Sequence, residues 1–150
     1  VETQETDIFI DPQTAILLSE FNAAEGPDFD DLTIAERRQG LTDMLMQAEA
    51  FAPKVDQQQI SIPARYGRLL PAVLYRPIPG PLPVLFLIQG GGWSYATKEA
   101  YQPLASYLAK ELGRLVVCVD FRLAPEHKFP KGLEDCCDVY AWLTAHVADY

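Results

Sequence analysis

The stretch Pro83–Trp93, PVLFLIQGGGW, limits the choice of fold more than any other part of the chain. Val84 to Ile88 are five apolar residues in a row, which predicts a strand buried on both faces in a parallel sheet. Gly90, Gly91 and Gly92 follow at once, and Trp93 closes the run. Backbone without Cβ atoms reaches positive φ and admits a close neighbour. A buried strand that ends in bare amides suits a place where N–H groups meet an anion or an oxyanion. The plainer alternative is a tight turn, for which one glycine suffices.

Hydrophobic periodicity divides the chain in two. Residues 1–54 read as two helices ahead of any strand. Asp11-Pro12 has the form of an N-cap with proline at the first helical position, Leu17, Phe21 and Ala24 mark one apolar face, and Gly26-Pro27 stops the helix. Thr33 and Glu36 form a capping-box pattern, behind which Leu41, Met44, Leu45 and Ala48 recur at helical spacing.

Residues 55–150 have an α/β pattern. Gln59–Ala64 and Pro71–Arg76 alternate in polarity on either side of Tyr66-Gly67-Arg68, which predicts an antiparallel hairpin with one solvated face. Pro77, Pro79, Pro81 and Pro83 punctuate a connector. A helix is expected from about Lys98 to Leu112, with Tyr101, Leu104, Ala105, Leu108 and Leu112 inward and Gly113 at its end. Leu115–Val119 is a second apolar strand, so that strand, helix and strand make a right-handed βαβ unit. Asp120–Pro130 is a long charged loop, and a helix from Lys131 to His146 is expected to carry Leu133, Cys136, Cys137, Tyr140 and Leu143 inward. Two parallel strands with a hairpin on one side leave an open sheet edge, an aggregation hazard if bare, so the segment reads as half of a larger sheet.

Several functions are disfavoured by composition. The 150 residues are 49% hydrophobic, enough for a core, and carry a net charge of −9 with scattered basic residues, which argues against nucleic acid. No apolar run approaches the roughly 20 residues of a membrane span, and the acidic start VETQETDIFIDPQ lacks a signal-peptide pattern. Cys118, Cys136 and Cys137 have no metal-ligand spacing, and their odd number argues against a disulfide framework, so a cytoplasmic setting is expected. His127 and His146 lack ligand-spaced partners, and no metal or cofactor is expected. His146 suits a helix C-terminus and His127 a hydrogen-bonding loop role. Tyr95 stands where a dinucleotide fingerprint needs its third glycine, and the Gly-Lys-Ser/Thr of a phosphate loop is absent. Acyl transfer remains, since a tetrahedral intermediate needs preorganised N–H donors aimed at its oxyanion.

QGGGW at residues 89–93, VDFRLAPEHKFP at 119–130 and GLED at 132–135 together resemble the hormone-sensitive-lipase-like esterases of the α/β-hydrolase fold. The resemblance covers roughly residues 55–147, and the two leading helices sit where that family keeps part of its cap. It implies the N-terminal half of a mostly parallel central sheet with N-terminal cap helices. Carried over by position, Gly91 and Gly92 give their N–H groups to the oxyanion. Gly90 and Trp93 contact the substrate, Trp93 flanking the acyl or alcohol pocket. Asp120, Arg122, Glu126 and His127 knit the long loop beneath the site, with no catalytic role. Gln89 departs from the histidine that opens the family's loop. The family's Gly-x-Ser-x-Gly elbow lies downstream, followed by its acid and histidine, and none of Ser19, Ser61, Ser94 and Ser106 stands in such an elbow. The resemblance thus implies a serine carboxylesterase acting on small-molecule esters of short to medium acyl chains. A complementary C-terminal segment or chain would carry the Ser, Asp and His. A second reading, favoured by Gln89 alone, is a hormone-receptor-like binding protein on the same fold.

Overall fold

Asp11 starts the first helix as expected, its Oδ1 accepting the N–H groups of Gln13 and Thr14 at 2.9 and 3.4 Å. The computed structural model describes residues 9–23 and 29–146. Two units divide at residue 32. In the first, helix α1 (Pro12–Ala23) leaves Leu17 and Phe21 exposed. Ala24 and the Gly26-Pro27 stop lie outside the described residues.

The second unit opens with α2 (Ile34–Met46), whose reciprocal capping box is formed: Thr33 Oγ1 accepts the Glu36 N–H, and the Glu36 carboxylate accepts the Thr33 N–H at 2.8 Å. After a 3-10 turn at Gln47–Phe51, strands β1 (Asp56–Ala64) and β2 (Arg68–Arg76) form the hairpin, joined by a left-handed turn at Tyr66 and Gly67. Strand β3 (Val84–Leu87), helix α3 (Gln102–Leu112), strand β4 (Leu115–Val119) and helix α4 (Lys131–His146) follow.

The sheet order is β1-β2-β4-β3. Only β3 and β4 are parallel, while β1·β2 and β2·β4 are antiparallel, so the described part of the sheet is mixed, as fits one part of an α/β-hydrolase sheet. This order corrects two expectations. β3 lies at the edge of the described sheet and is half-buried throughout, whereas β4, flanked on both sides, is fully buried at all five positions. For the same reason the hairpin has no common solvated face: β2 is interior and buries Ala72 to Tyr75 on both faces. β4 alternates between two cores. Leu115, Val117 and Val119 pack with Ile62, Leu74, Val139 and Leu143, and Val116 and Cys118 with Tyr75, Ala105 and Ala109.

The helix faces differ from the apolar count. α3 begins at Gln102, because Pro103 lacks an N–H and fits only the first turn. It buries the small Ala105, Ser106 and Ala109, while Leu104 and Leu112 are exposed, a close approach to the sheet that large side chains would block. α4 buries Gly132, Asp135, Cys136, Val139 and Leu143, and leaves Leu133, Cys137 and Tyr140 outside. A charged residue took an inward position that apolarity alone assigned elsewhere.

Candidate active site

The glycine run leaves the C-terminal end of β3, where Gln89 is buried and its Nε2 donates to the Val119 carbonyl at 2.8 Å. One side-chain bond thus ties the loop's root to the end of β4. Gln89 Oε1 is buried with no partner among the described residues. Gly91, Gly92 and Trp93 then take φ of 111°, 59° and 59°. At Gly91 glycine is obligatory on two counts, since a Cβ would also stand 2.7 Å from the Ala96 nitrogen. At Gly90 a Cβ would meet the Tyr101 hydroxyl at 2.8 Å.

The Gly91 carbonyl accepts from Ser94 and Tyr95 N–H at 3.1 and 3.0 Å, and Ser94 Oγ donates to the Gly92 carbonyl. The carbonyls of Gly91 and Gly92 are therefore occupied. Among the described residues, the N–H groups of Gly91 and Gly92 make no hydrogen bond. Amides held in a fixed turn without an internal acceptor are available to an external anion.

Three ion pairs hold the long loop against its surroundings. Arg38 on α2 pairs with Glu126 through two bonds of 2.7 and 2.9 Å, donates Nε to the Ser94 carbonyl and gives Nη2 to the Ala124 carbonyl. It clasps the glycine loop and the Asp120–Pro130 loop together. Ala124 N–H adds a bond to the Trp93 carbonyl at 2.9 Å. Asp120 receives the Lys98 N–H and its ammonium, the latter shared with Glu99. Burial opposes the charge on Lys98, but the bonds to Asp120 and Glu99 outweigh it and raise its pKa. Arg122 forks onto Asp135, which also accepts the Arg122 N–H at 2.9 Å. Of the four residues expected to knit this loop, His127 contributes only its backbone, donating N–H to Leu123. Arg38 was not foreseen. Its position in an amphipathic helix reads as a solvated charge, and only the tertiary placement of Glu126 distinguishes it.

Arg38 holds the Glu126 carboxyl at about 2, below its usual 4.5. A depressed carboxylate adds stability above its unfolded pKa, lost as pH falls through the folded value. The clasp is therefore expected to hold at pH 5 and to release between about 4.5 and 2. A side-chain NMR titration should give Glu126 a midpoint near 2, and Arg38→Ala should move it back toward 4.5. A wild-type midpoint already at 4.5 would mean that the clasp does not form.

Gln89 permits a second test. Gln89→Glu replaces the donor by an acceptor facing the Val119 carbonyl, and burial raises such a carboxyl's pKa. The neutral acid regains an O–H donor, so the variant should match the parent's stability near pH 4 and lose it as pH rises. Equal stability of parent and variant from pH 4 to 8 would dismiss the latch.

The other candidates for chemistry are occupied or inert. Burial pushes the Cys118 and Cys136 thiols up to about 12, far from a reactive thiolate. Ser106 is buried in α3, and no serine–histidine hydrogen bond occurs among the described residues. His146 stacks on Trp142 and its Nδ1 lies 2.8 Å from that residue's carbonyl, in the helix-end role expected. No group of acidic, histidine or cysteine side chains among the described residues is arranged to hold a metal, and no described helix is long and apolar enough to cross a membrane.

Residues 85–150 match a family described as alpha/beta hydrolase fold. The carboxylic ester hydrolase LipN of Mycobacterium tuberculosis is 34% identical over 96 residues, 63% of this chain and 25% of its own. The hormone-sensitive lipase of Bos taurus is 39% identical over 61 residues, 41% of this chain and 8% of its own. Among solved structures, a hyperthermophilic esterase from Pyrobaculum calidifontis superposes with a TM-score of 0.80 at 29% identity, covering 93% of this chain and 45% of that one. An ester hydrolase from the metagenome of Lake Arreo gives 0.83 at 27%, covering 92% and 46%. The matched length is thus a quarter or less of these two curated relatives and under half of the solved structures.

Proposed function

We propose that the chain belongs to the hormone-sensitive-lipase-like α/β-hydrolases and supplies the oxyanion-binding half of a serine carboxylesterase, a reading supported by its similarity to carboxylic ester hydrolases and hormone-sensitive lipase. The observation that carries this reading is the pair of amides at Gly91 and Gly92, unengaged among the described residues and fixed in a turn in which the Gly91 and Gly92 carbonyls are bonded elsewhere. In the reaction a serine Oγ adds to the ester carbonyl, and the charge that develops on its oxygen is received by these two N–H groups. Each such donor contributes about 3 kcal/mol of transition-state stabilisation. Collapse expels the alcohol and leaves an acyl-enzyme, which water hydrolyses. The substrates are small esters of short to medium acyl chains, with Gly90 and Trp93 beside the reacting group.

The serine, its histidine base and its acid come, on this reading, from a complementary segment carrying Ser, Asp and His. The edge of β3 supports the partnership, since among the described residues one row of its backbone groups is unpaired and its apolar side chains are half-buried, which suits a further strand. The test is turnover of p-nitrophenyl butyrate by the purified native protein, with intact mass measured on the same sample. Hydrolysis is expected. A folded sample that does not turn over the ester overturns catalysis and leaves small-molecule binding.

A further inference from the structure

The register of the hairpin puts four side chains on one face of the sheet. Gln57 stands opposite Tyr75 and Gln59 opposite Val73, and across the next pairing Tyr75 and Val73 face Val116 and Cys118. The inner part of these two rows is apolar core, packed with Ala105 and Ala109 of α3. On β1 the rows end in amides, and there the packing opens. A cavity of about 310 Å³ lies between the four hairpin side chains and Lys98, Glu99 and Gln102 at the entry to α3. Tyr75 is 2% exposed, yet its hydroxyl makes no hydrogen bond among the described residues. A buried tyrosine hydroxyl ordinarily has a partner. This oxygen is not sealed into the core, so it opens on the cavity that Tyr75 lines. Burial, with Cys118, Glu99 and Asp120 adding to it, raises the pKa of the phenol, which therefore keeps its proton and can donate. The side-chain amides of Gln57, Gln59 and Gln102 are likewise without a hydrogen bond among the described residues.

We propose that this cavity binds a neutral, hydroxyl-rich small molecule, a monosaccharide or short polyol, between the hairpin and the entry to α3. Charge selects against ions. Lys98 gives its ammonium to both Glu99 and Asp120, so one cation faces two carboxylates. An anion would meet the surplus negative charge, and a cation would have to displace Lys98. An apolar group would leave the Tyr75 hydroxyl and the amides without partners. A hydroxyl both donates and accepts, which matches the phenol and each glutamine amide in turn. Size agrees, since about 310 Å³ is at the lower end of the range for small-molecule pockets and has room for one six-membered ring with its hydroxyls.

Titration of the native protein with D-glucose, myo-inositol and glycerol, followed through the glutamine side-chain N–H resonances, reads binding without reference to ester turnover. Gln57→Ala and Gln59→Ala each assign one pair of resonances. At least one of the three compounds is expected to shift both pairs saturably, with a Kd of about 1 mM. Tyr75→Phe removes only the hydroxyl and should weaken that binding about fivefold. It should melt where the parent melts, because the hydroxyl has no partner within the protein to lose. Gln102→Ala, on the facing wall, should weaken binding about threefold and leaves the core untouched. The proposal is overturned if none of the three compounds gives a saturable shift. Affinities within about twofold of the parent in both Tyr75→Phe and Gln102→Ala also overturn it, since each variant removes a hydrogen-bonding group. Equal shifts from cyclohexanol or from sodium acetate do so as well, for the cavity would then not select neutral compounds rich in hydroxyls.

Discussion

Gly91→Ala is expected to lower ester turnover at least a hundredfold. The new methyl would lie 2.7 Å from the Ala96 nitrogen and 2.8 Å from its Cβ. Both belong to backbone or to a side chain that cannot rotate away. The φ of 111° is also one that an L-residue adopts at a cost of about 1–3 kcal/mol. Relief requires the loop to move, which displaces both amides, and a shift of about 1 Å in a reacting geometry costs about 10²-fold. Gly92→Ala is the control. Its methyl meets nothing within 4 Å, and its φ of 59° is the left-handed helical value, costing about 1–2 kcal/mol. The amide stays in place, so turnover should fall less than tenfold. Measuring kcat/KM with p-nitrophenyl acetate beside the melting temperature separates the two effects. Full activity in Gly91→Ala would mean that these amides do not receive the oxyanion.

The largest effect on stability should come from Arg122→Ala. Asp135 is completely buried, and its carboxylate accepts the Arg122 N–H and both arms of the guanidinium, at 2.7–3.1 Å. Arg68 stands 3.9 Å away. Truncation leaves a buried carboxylate with one backbone donor and a distant cation, a loss of about 3–5 kcal/mol. Arg122→Lys keeps the charge without the fork and should fall between parent and alanine variant. Urea unfolding checks both, and an alanine variant within 1 kcal/mol of the parent would show that the pair is dispensable. The damage should also reach the site, because Phe121, next to Arg122, is the ring on which Trp93 rests. Arg122→Ala is therefore expected to alter the Trp93 environment even under conditions where it stays folded.

The elements were legible in the sequence where one local rule decides them. The capping box at Thr33 and Glu36, the strand Leu115–Val119 and the helix Lys131–His146 all stand where pattern and punctuation put them. Helix faces were less legible. Counting apolar residues turned Leu104, Leu133 and Tyr140 inward, whereas Ser106 and Asp135 are the buried ones. What decides there is closeness to the sheet and the presence of an ionic partner, neither of which is local. The burial of β3 was misjudged for a related reason: an apolar run reports that a strand is to be covered, and not which element covers it. In the glycine loop, the need for glycine was readable because positive φ at Gly91 and Gly92 is a local property. Arg38 was not, since its importance lies in partners 56, 86 and 88 residues away.

The strand order has a bearing on how the chain assembles during synthesis. β3 leaves the ribosome before β4 yet has no place beside β2, because β4 comes to lie between them. The hairpin's register is set by its own turn, but β3 with its glycine loop must wait, unpaired, for α3 and the five residues of β4 to arrive. The glycine loop is thus secured in one step, when Leu115–Val119 slots into the middle of the sheet and the Val119 carbonyl becomes available to Gln89. Ribosome-stalled chains ending before residue 115 should show hydrogen-exchange protection in β1 and β2 and none in β3, while chains long enough to free β4 from the exit tunnel should protect both ends of the sheet together.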